Sequence, residues 1–111
     1  MSPDPDAPLL VYTTVPDPET GLAIGEALVG SGLAACVNVL PGMRSVYRWQ
    51  GEIERGAEAV AIVKTTARHR DAAAALLKAR HPYETPVILY LAPEGGDPAT
   101  LAWLRESTAT T

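Results

Sequence analysis

Apolar and polar positions divide this chain into short strands and amphipathic helices. Leu9–Val15 (LLVYTTV) is a run of β-formers ended by Pro16 and reads as a buried strand. Asp17 offers an N-cap carboxylate, Pro18 suits the first helical position and Glu19 the positive helix end, so a helix is expected to about Ser31. Its inward stripe is expected to be Ile24, Ala27, Leu28 and Ser31, with Gly32 as a left-handed stop. Leu33–Leu40 reads as the second strand. Pro41-Gly42 breaks it with a bend or bulge, and Arg44–Trp49 resumes extended structure. Gln50-Gly51 turns the chain into a third strand that reaches Thr65. Thr66 is expected to cap a helix over Ala67–Arg80 with the stripe Ala73, Leu76 and Leu77. Val87–Leu91 is the fourth expected strand, and Pro98–Ser107 a closing helix carrying Leu101, Trp103 and Leu104.

The order βαββαβ plus a helix, joined by two right-handed crossovers, gives an α/β fold of the α+β kind, a ferredoxin-like sandwich with an added C-terminal helix. Strands covered on one face alternate apolar and polar residues, whereas Val60, Ala61, Ile62 and Val63 are apolar on both. Leu9, Leu10 and Val11 behave alike, as do Val87–Leu91 apart from the hydroxyl of Tyr90. Both crossovers lie on one face of the sheet. The other face must be hidden by something else, and a second copy of the same sheet is the simplest cover.

With 111 residues the chain is read as one domain over residues 9–108, and residues 1–8 as a disordered lead without signal-peptide character. Phe is absent, so the core must come from Ala, Val, Leu and Ile. A net charge of −4 with scattered basic residues argues against nucleic acid as a partner. No apolar run reaches the roughly 20 residues of a membrane span, so no membrane partner is expected. The single cysteine, Cys36, excludes an intrachain disulfide and a zinc ribbon. The chain reads as a soluble, cytoplasmic protein.

Five stretches taken together, LAACVNVLPG at 33–42, SVYRWQGEI at 45–53, KTT at 64–66, HPYETP at 81–86 and Trp103 in the closing helix, resemble the CutA divalent-cation tolerance family. The resemblance covers nearly the whole chain. It implies a ferredoxin-like fold, a homotrimer packed around a threefold axis, an architecture like that of PII signalling proteins, and a link to tolerance of divalent cations, copper above all. This chain departs from the pattern at Val87, where many members carry a Glu, and only the cysteine of the AAC stretch is present.

Three residues qualify as metal ligands. Cys36 offers a soft thiolate for copper, against the reading of a small buried strand residue. His81 and Glu84 supply an imidazole and a carboxylate suited to Cu(II) or Zn(II), against a ring that holds a loop and a carboxylate paired with Lys64 or an Arg. His69 and Met43 read as structural. A second constellation, Trp49, Lys64, Tyr83 and Trp103 with Tyr47, has the stacking surface and fixed positive charge of an intersubunit cleft for a small anionic ligand. Its competing reading is interface packing, with Lys64 balanced by Glu58 or Glu84. No nucleophile elbow, P-loop or dinucleotide fingerprint occurs, and no enzymatic activity is expected. The expected function is a trimeric divalent-cation tolerance protein, with a PII-like ligand-binding trimer as the alternative.

Overall fold

The computed structural model describes residues 4–108. The chain runs β1 (Pro8–Val15), α1 (Pro18–Gly30), β2 (Cys36–Trp49), β3 (Glu52–Thr66), a 3-10 turn (Ala67–His69), α2 (Arg70–Arg80), β4 (Leu89–Leu91) and α3 (Pro98–Glu106). The strands form one antiparallel sheet in the order β2-β3-β1-β4. That order is what two interleaved right-handed βαβ units produce, so the expected ferredoxin-like sandwich with a closing helix is the fold.

Local chemistry sets the ends of α1. Asp17 Oδ1 accepts the Thr20 N–H at 2.8 Å and the Thr20 hydroxyl at 2.9 Å. These bonds hold the Asp17 carboxyl below its ordinary pKa of 3.8. At the other end Gly32 takes φ +77, Leu33 N–H donates to Leu28 O and Gly32 N–H to Val29 O, the paired bonds of a glycine stop. The buried stripe is Gly21, Ile24, Gly25 and Leu28, in place of the expected Ala27 and Ser31. A Cβ on Gly25 would lie 3.0 Å from Val37 Cβ. The two glycines therefore let α1 sit directly on β2, and the sequence pattern alone does not announce that contact.

Three boundaries differ from expectation for physical reasons. Residues 36–49 form one strand, because the Pro41-Gly42 irregularity is absorbed as a register shift between Leu40 and Met43. Thr66 still pairs with Pro8 in the sheet and makes no side-chain cap bond, so a 3-10 turn intervenes before α2 begins at Arg70. The fourth strand shortens to Leu89–Leu91. Its ladder on β1 stops at Tyr12, and the Thr14 carbonyl beyond it accepts from His81 Nε2 instead. Within the lead expected to be disordered, Asp4–Ala7 is tied to the 3-10 turn: Ala67 N–H donates to Ala7 O, Arg68 N–H to Pro5 O, and the Arg68 guanidinium meets Asp6 at 2.8 Å.

Leu9, Val11 and Val15 of β1 and Ala59 and Val63 of β3 pack with Ile24 and Leu28 of α1 and Ala73 and Leu77 of α2 in one core. The register puts the alternate residues on the opposite face in rows: Cys36, Lys64, Leu10 and Leu91; then Asn38, Ile62, Tyr12 and Leu89; then Leu40, Val60 and Thr14. Thr14 apart, these are half-buried or exposed, with Leu40, Leu89 and Leu91 open to 48%, 56% and 48%. The second face is thus apolar and incompletely covered within one chain, as the residue pattern predicts. The short helix α3, capped by Asp97 on the Ala99 N–H, lies against β3 and buries Leu104.

Candidate functional site

His81 closes the segment between α2 and β4. Its ring is 8% exposed, Nε2 lies 2.8 Å from the Thr14 carbonyl, and Nδ1 accepts the Tyr83 N–H at 3.1 Å. A carbonyl only accepts, so Nε2 carries the proton and the ring is the neutral Nε2–H tautomer. Both ring nitrogens are therefore occupied. The Tyr83 ring stacks at a tilt on His81, 4.8 Å between centroids, and its hydroxyl donates to Glu58 Oε2 at 2.9 Å. Burial, then the Glu58 hydrogen bond and charge, push the Tyr83 phenol up to about 12. Ser45 donates to the other Glu58 oxygen at 3.0 Å. The start of the segment is held twice, to β1 by His81 and to the base of the β2–β3 hairpin by Tyr83.

The three expected metal ligands do not meet in one chain. Cys36 is half-buried on the open sheet face, directly opposite Lys64. His81 grips Thr14, four residues along β1 from Leu10 in the Cys36 row, about 13 Å of strand away. Glu84 is exposed and enters no ion pair among the described residues. Among those residues no three His, Cys, Asp or Glu side chains are grouped to hold a metal ion. A single chain therefore does not form a closed metal site, and ligation by His81 would require Nδ1 to release the Tyr83 N–H.

The second constellation is also dispersed. Trp49 pairs with Glu52 at the hairpin tip, and Lys64 is twelve residues further along β3, about 40 Å of extended chain. Tyr83 meets β3 at Glu58, and Trp103 is half-exposed on α3. Lys64 is not paired with Glu58 or Glu84. Glu58 serves Tyr83 and Ser45 instead, and Lys64 has no carboxylate within ion-pair distance among the described residues. The role of Glu58 as a shared acceptor was not visible in sequence, because Ser45 and Tyr83 reach it from 13 and 25 residues away. An apolar groove of about 420 Å³ lies between α1 and β2 over Leu22, Gly25, Val29, Val37 and Val39, and holds none of the expected site residues.

Residues 9–107 match the CutA1 divalent ion tolerance protein family. The chain belongs to that family. It is 44% identical over 99 residues to the divalent-cation tolerance protein CutA of Thermus thermophilus, covering 89% of this chain and 96% of the relative. It is 40% identical over 100 residues to the chloroplastic protein CutA 1 of rice, covering 90% of this chain and 56% of the relative, so it spans about half the length of that plant protein. The crystal structure of CutA from Xylella fastidiosa superposes with a TM-score of 0.89 at 39% identity, covering 93% and 99% of the two chains. The CutA family thus accounts for the fold and for the divalent-cation theme. The clasp and the dispersed ligand set describe how this member presents its residues.

Proposed function

We propose that this protein acts as a cytoplasmic, non-enzymatic homotrimer that binds copper or a similar divalent ion at positions completed between copies and so contributes to metal tolerance. One observation carries the reading: the candidate ligands are held apart within a chain, while the apolar face bearing Cys36 is left half-open for other copies to cover. Association around an axis brings equivalent residues of different copies toward one another, which is how a lone thiol per chain gains partners. Cys36 is the preferred soft ligand. Glu84 is free to add a carboxylate, and His81 contributes only at the expense of its clasp. A half-exposed, unpaired cysteine also suits a reducing compartment, testable by cell fractionation. Equilibrium dialysis of the assembled protein against Cu(II) and Zn(II) tests the site. Retained metal that Cys36→Ala abolishes is the expected result. No retained metal, or retention indifferent to Cys36→Ala, Glu84→Ala and His81→Ala, contradicts it.

Lys64 supports a second reading, a PII-like trimer holding an anionic small molecule between subunits. Its ammonium stands on an apolar face opposite Leu10 and Cys36 without a carboxylate partner among the described residues. A half-buried cation on an apolar face gains from a counter-charge, and an anionic ligand would supply one. A thermal-shift screen of nucleotides and carboxylates separates the readings. A stabilising ligand whose effect vanishes in Lys64→Ala, with metal retention unchanged, favours the second; no hit in the screen counts against it.

A further inference from the structure

Past Leu40 and Ala59 the β2–β3 ladder loses its third strand and continues as a two-stranded arm about 20 Å long, from Met43 opposite Glu58 to Trp49 opposite Glu52. Its tip is a two-residue turn in which Gln50 takes φ +50 and Gly51 φ +82, the turn that matches the twist of a ribbon, so the arm is preformed. Residues directly opposite in an antiparallel ladder share a face, and neighbours along a strand alternate. One face therefore carries Arg44, Arg48 and Arg55 with Val46, Ile53 and Ala57. The other carries Glu52, Glu54 and Glu58 with the rings of Tyr47 and Trp49.

The arginine face sets positive charge beside hydrocarbon. All three arginines are exposed, and among the described residues none meets a carboxylate. Arg44 and Arg48 are four residues apart, about 13 Å along β2, and Arg55 stands opposite Val46 midway between them. Arg48 donates to the Gly51 carbonyl at 3.3 Å, which keeps its charge at the tip. The small residues Gly56 and Ala57 leave a hollow of about 450 Å³ beside Arg44, Val46 and Arg55. Val46 and Ile53 are 71% and 70% exposed, so the aliphatic groups of this face are as open as its arginines. A small soluble anion would answer the guanidiniums and leave Val46 and Ile53 wet. Nucleic acid fits poorly, because the rings that could stack on bases lie on the other face, and a groove enclosing the ribbon would bring Glu52 and Glu54 against phosphates. A bilayer with anionic lipid offers phosphate and hydrocarbon in one plane, touches one side of the ribbon and leaves the carboxylates on the water side.

We propose that the arginine face of the arm is a peripheral membrane contact that docks on a leaflet containing anionic phospholipid. Arg44 and Arg55 take a headgroup phosphate at the hollow beside them, Arg48 adds charge at the tip, and Val46 and Ile53 enter the interfacial layer. The cytoplasmic leaflet is such a surface. The contact is superficial: among the described residues no helix is long and apolar enough to cross a membrane. The net charge of −4 opposes it only weakly, because charges more than about 10 Å from the bound face are largely screened at moderate salt. Each guanidinium held near an anionic leaflet is worth roughly fivefold in partition, so the contact is reversible and salt-sensitive.

The test is flotation of the full chain with vesicles of phosphatidylcholine alone or with about a third phosphatidylglycerol. The parent protein should bind the anionic vesicles, bind the neutral ones little, and dissociate as salt is raised. Arg44→Gln with Arg55→Gln should lower partition by roughly 25-fold, and Val46→Ser with Ile53→Ser by roughly tenfold. Glu52→Gln with Glu54→Gln, on the opposite face, should leave it unchanged or raised. Glu58 is left intact because it holds Tyr83 and Ser45. Glycerol phosphate in solution should not displace the protein, which separates a lipid surface from a free anion. Circular dichroism and mass in solution check that each variant keeps the parent's fold and copy number, and the salt and lipid dependences of the parent carry the test should a variant misfold. A parent that stays in the soluble fraction, binds neutral vesicles equally or is displaced by glycerol phosphate overturns the proposal, as do arginine variants that bind like the parent. Binding to a double-stranded oligonucleotide with none to vesicles would overturn it in favour of nucleic acid.

Discussion

His81→Ala tests the clasp that holds the α2–β4 segment. The substitution removes a nearly buried ring and two hydrogen bonds, 2.8 Å to the Thr14 carbonyl and 3.1 Å from the Tyr83 N–H. Each bond contributes about 1 kcal/mol net, and truncating the ring in its packed setting costs about 1 kcal/mol more, for a total of about 3 kcal/mol. At a urea dependence of about 1.5 kcal/mol per molar, the unfolding midpoint falls by roughly 2 M. Parent and variant must be compared at equal protein concentration, since association adds stability by mass action. His81→Gln can keep a donor to the Thr14 carbonyl while losing the Nδ1 acceptor, and is expected to forfeit about half as much. Amide exchange at Tyr83 supplies the local readout and should accelerate in both variants. A loss below about 1 kcal/mol in His81→Ala, or Tyr83 exchange unchanged from the parent, would refute the clasp.

Other consequences are open to simple measurements. Tyr83, with its phenol pushed up to about 12, should ionise well above the ordinary 10 in an ultraviolet titration, and Glu58→Gln should bring it closer to 10. Its raised value adds stability that is complete below pH 10 and lost as pH climbs toward 12, so the fall in stability between pH 10 and 12 should be shallower in Tyr83→Phe than in the parent, and a steeper fall would contradict that sign. His69 is buried, with Nε2 unpartnered among the described residues, and desolvation followed by Arg68 lowers its pKa below 6.5. The unfolded chain therefore binds the proton more readily, so stability should fall as pH drops below about 6.5, and His69→Gln should flatten that slope in chemical denaturation. Gly25→Val should cost about 2 kcal/mol by overpacking against Val37, whereas Gly30→Ala, with open space around its Cβ, should be neutral or gain about 0.5 kcal/mol. Equal effects at the two glycines would count against close α1–β2 packing.

What could be read from the chain was whatever local chemistry decides. Asp17, Pro18 and Gly32 mark the ends of α1 because capping depends on neighbours in sequence, and the structure places them where those neighbours require. Strand alternation was equally legible: Leu10, Tyr12, Val60 and Ile62 proclaim a second apolar face, and the register puts them together there. Long-range competition was not legible. Gly21 and Gly25 look like weak helix residues until Val37 and Val39 are known to press on them. Val87 and Ile88 have strand character but lie outside the β4 ladder, beyond whose end His81 takes the Thr14 carbonyl. Lys64 was assigned Glu58 or Glu84, and neither reaches it, because Tyr83 and Ser45 hold Glu58 and Glu84 is exposed.

Mass in solution bears most directly on the whole account. Analytical ultracentrifugation of the full chain at micromolar concentration should give a species three times the 11.7 kDa of one chain, persisting on dilution. A stable 11.7 kDa monomer would mean that the open sheet face is content in water, contrary to what its exposed apolar residues require.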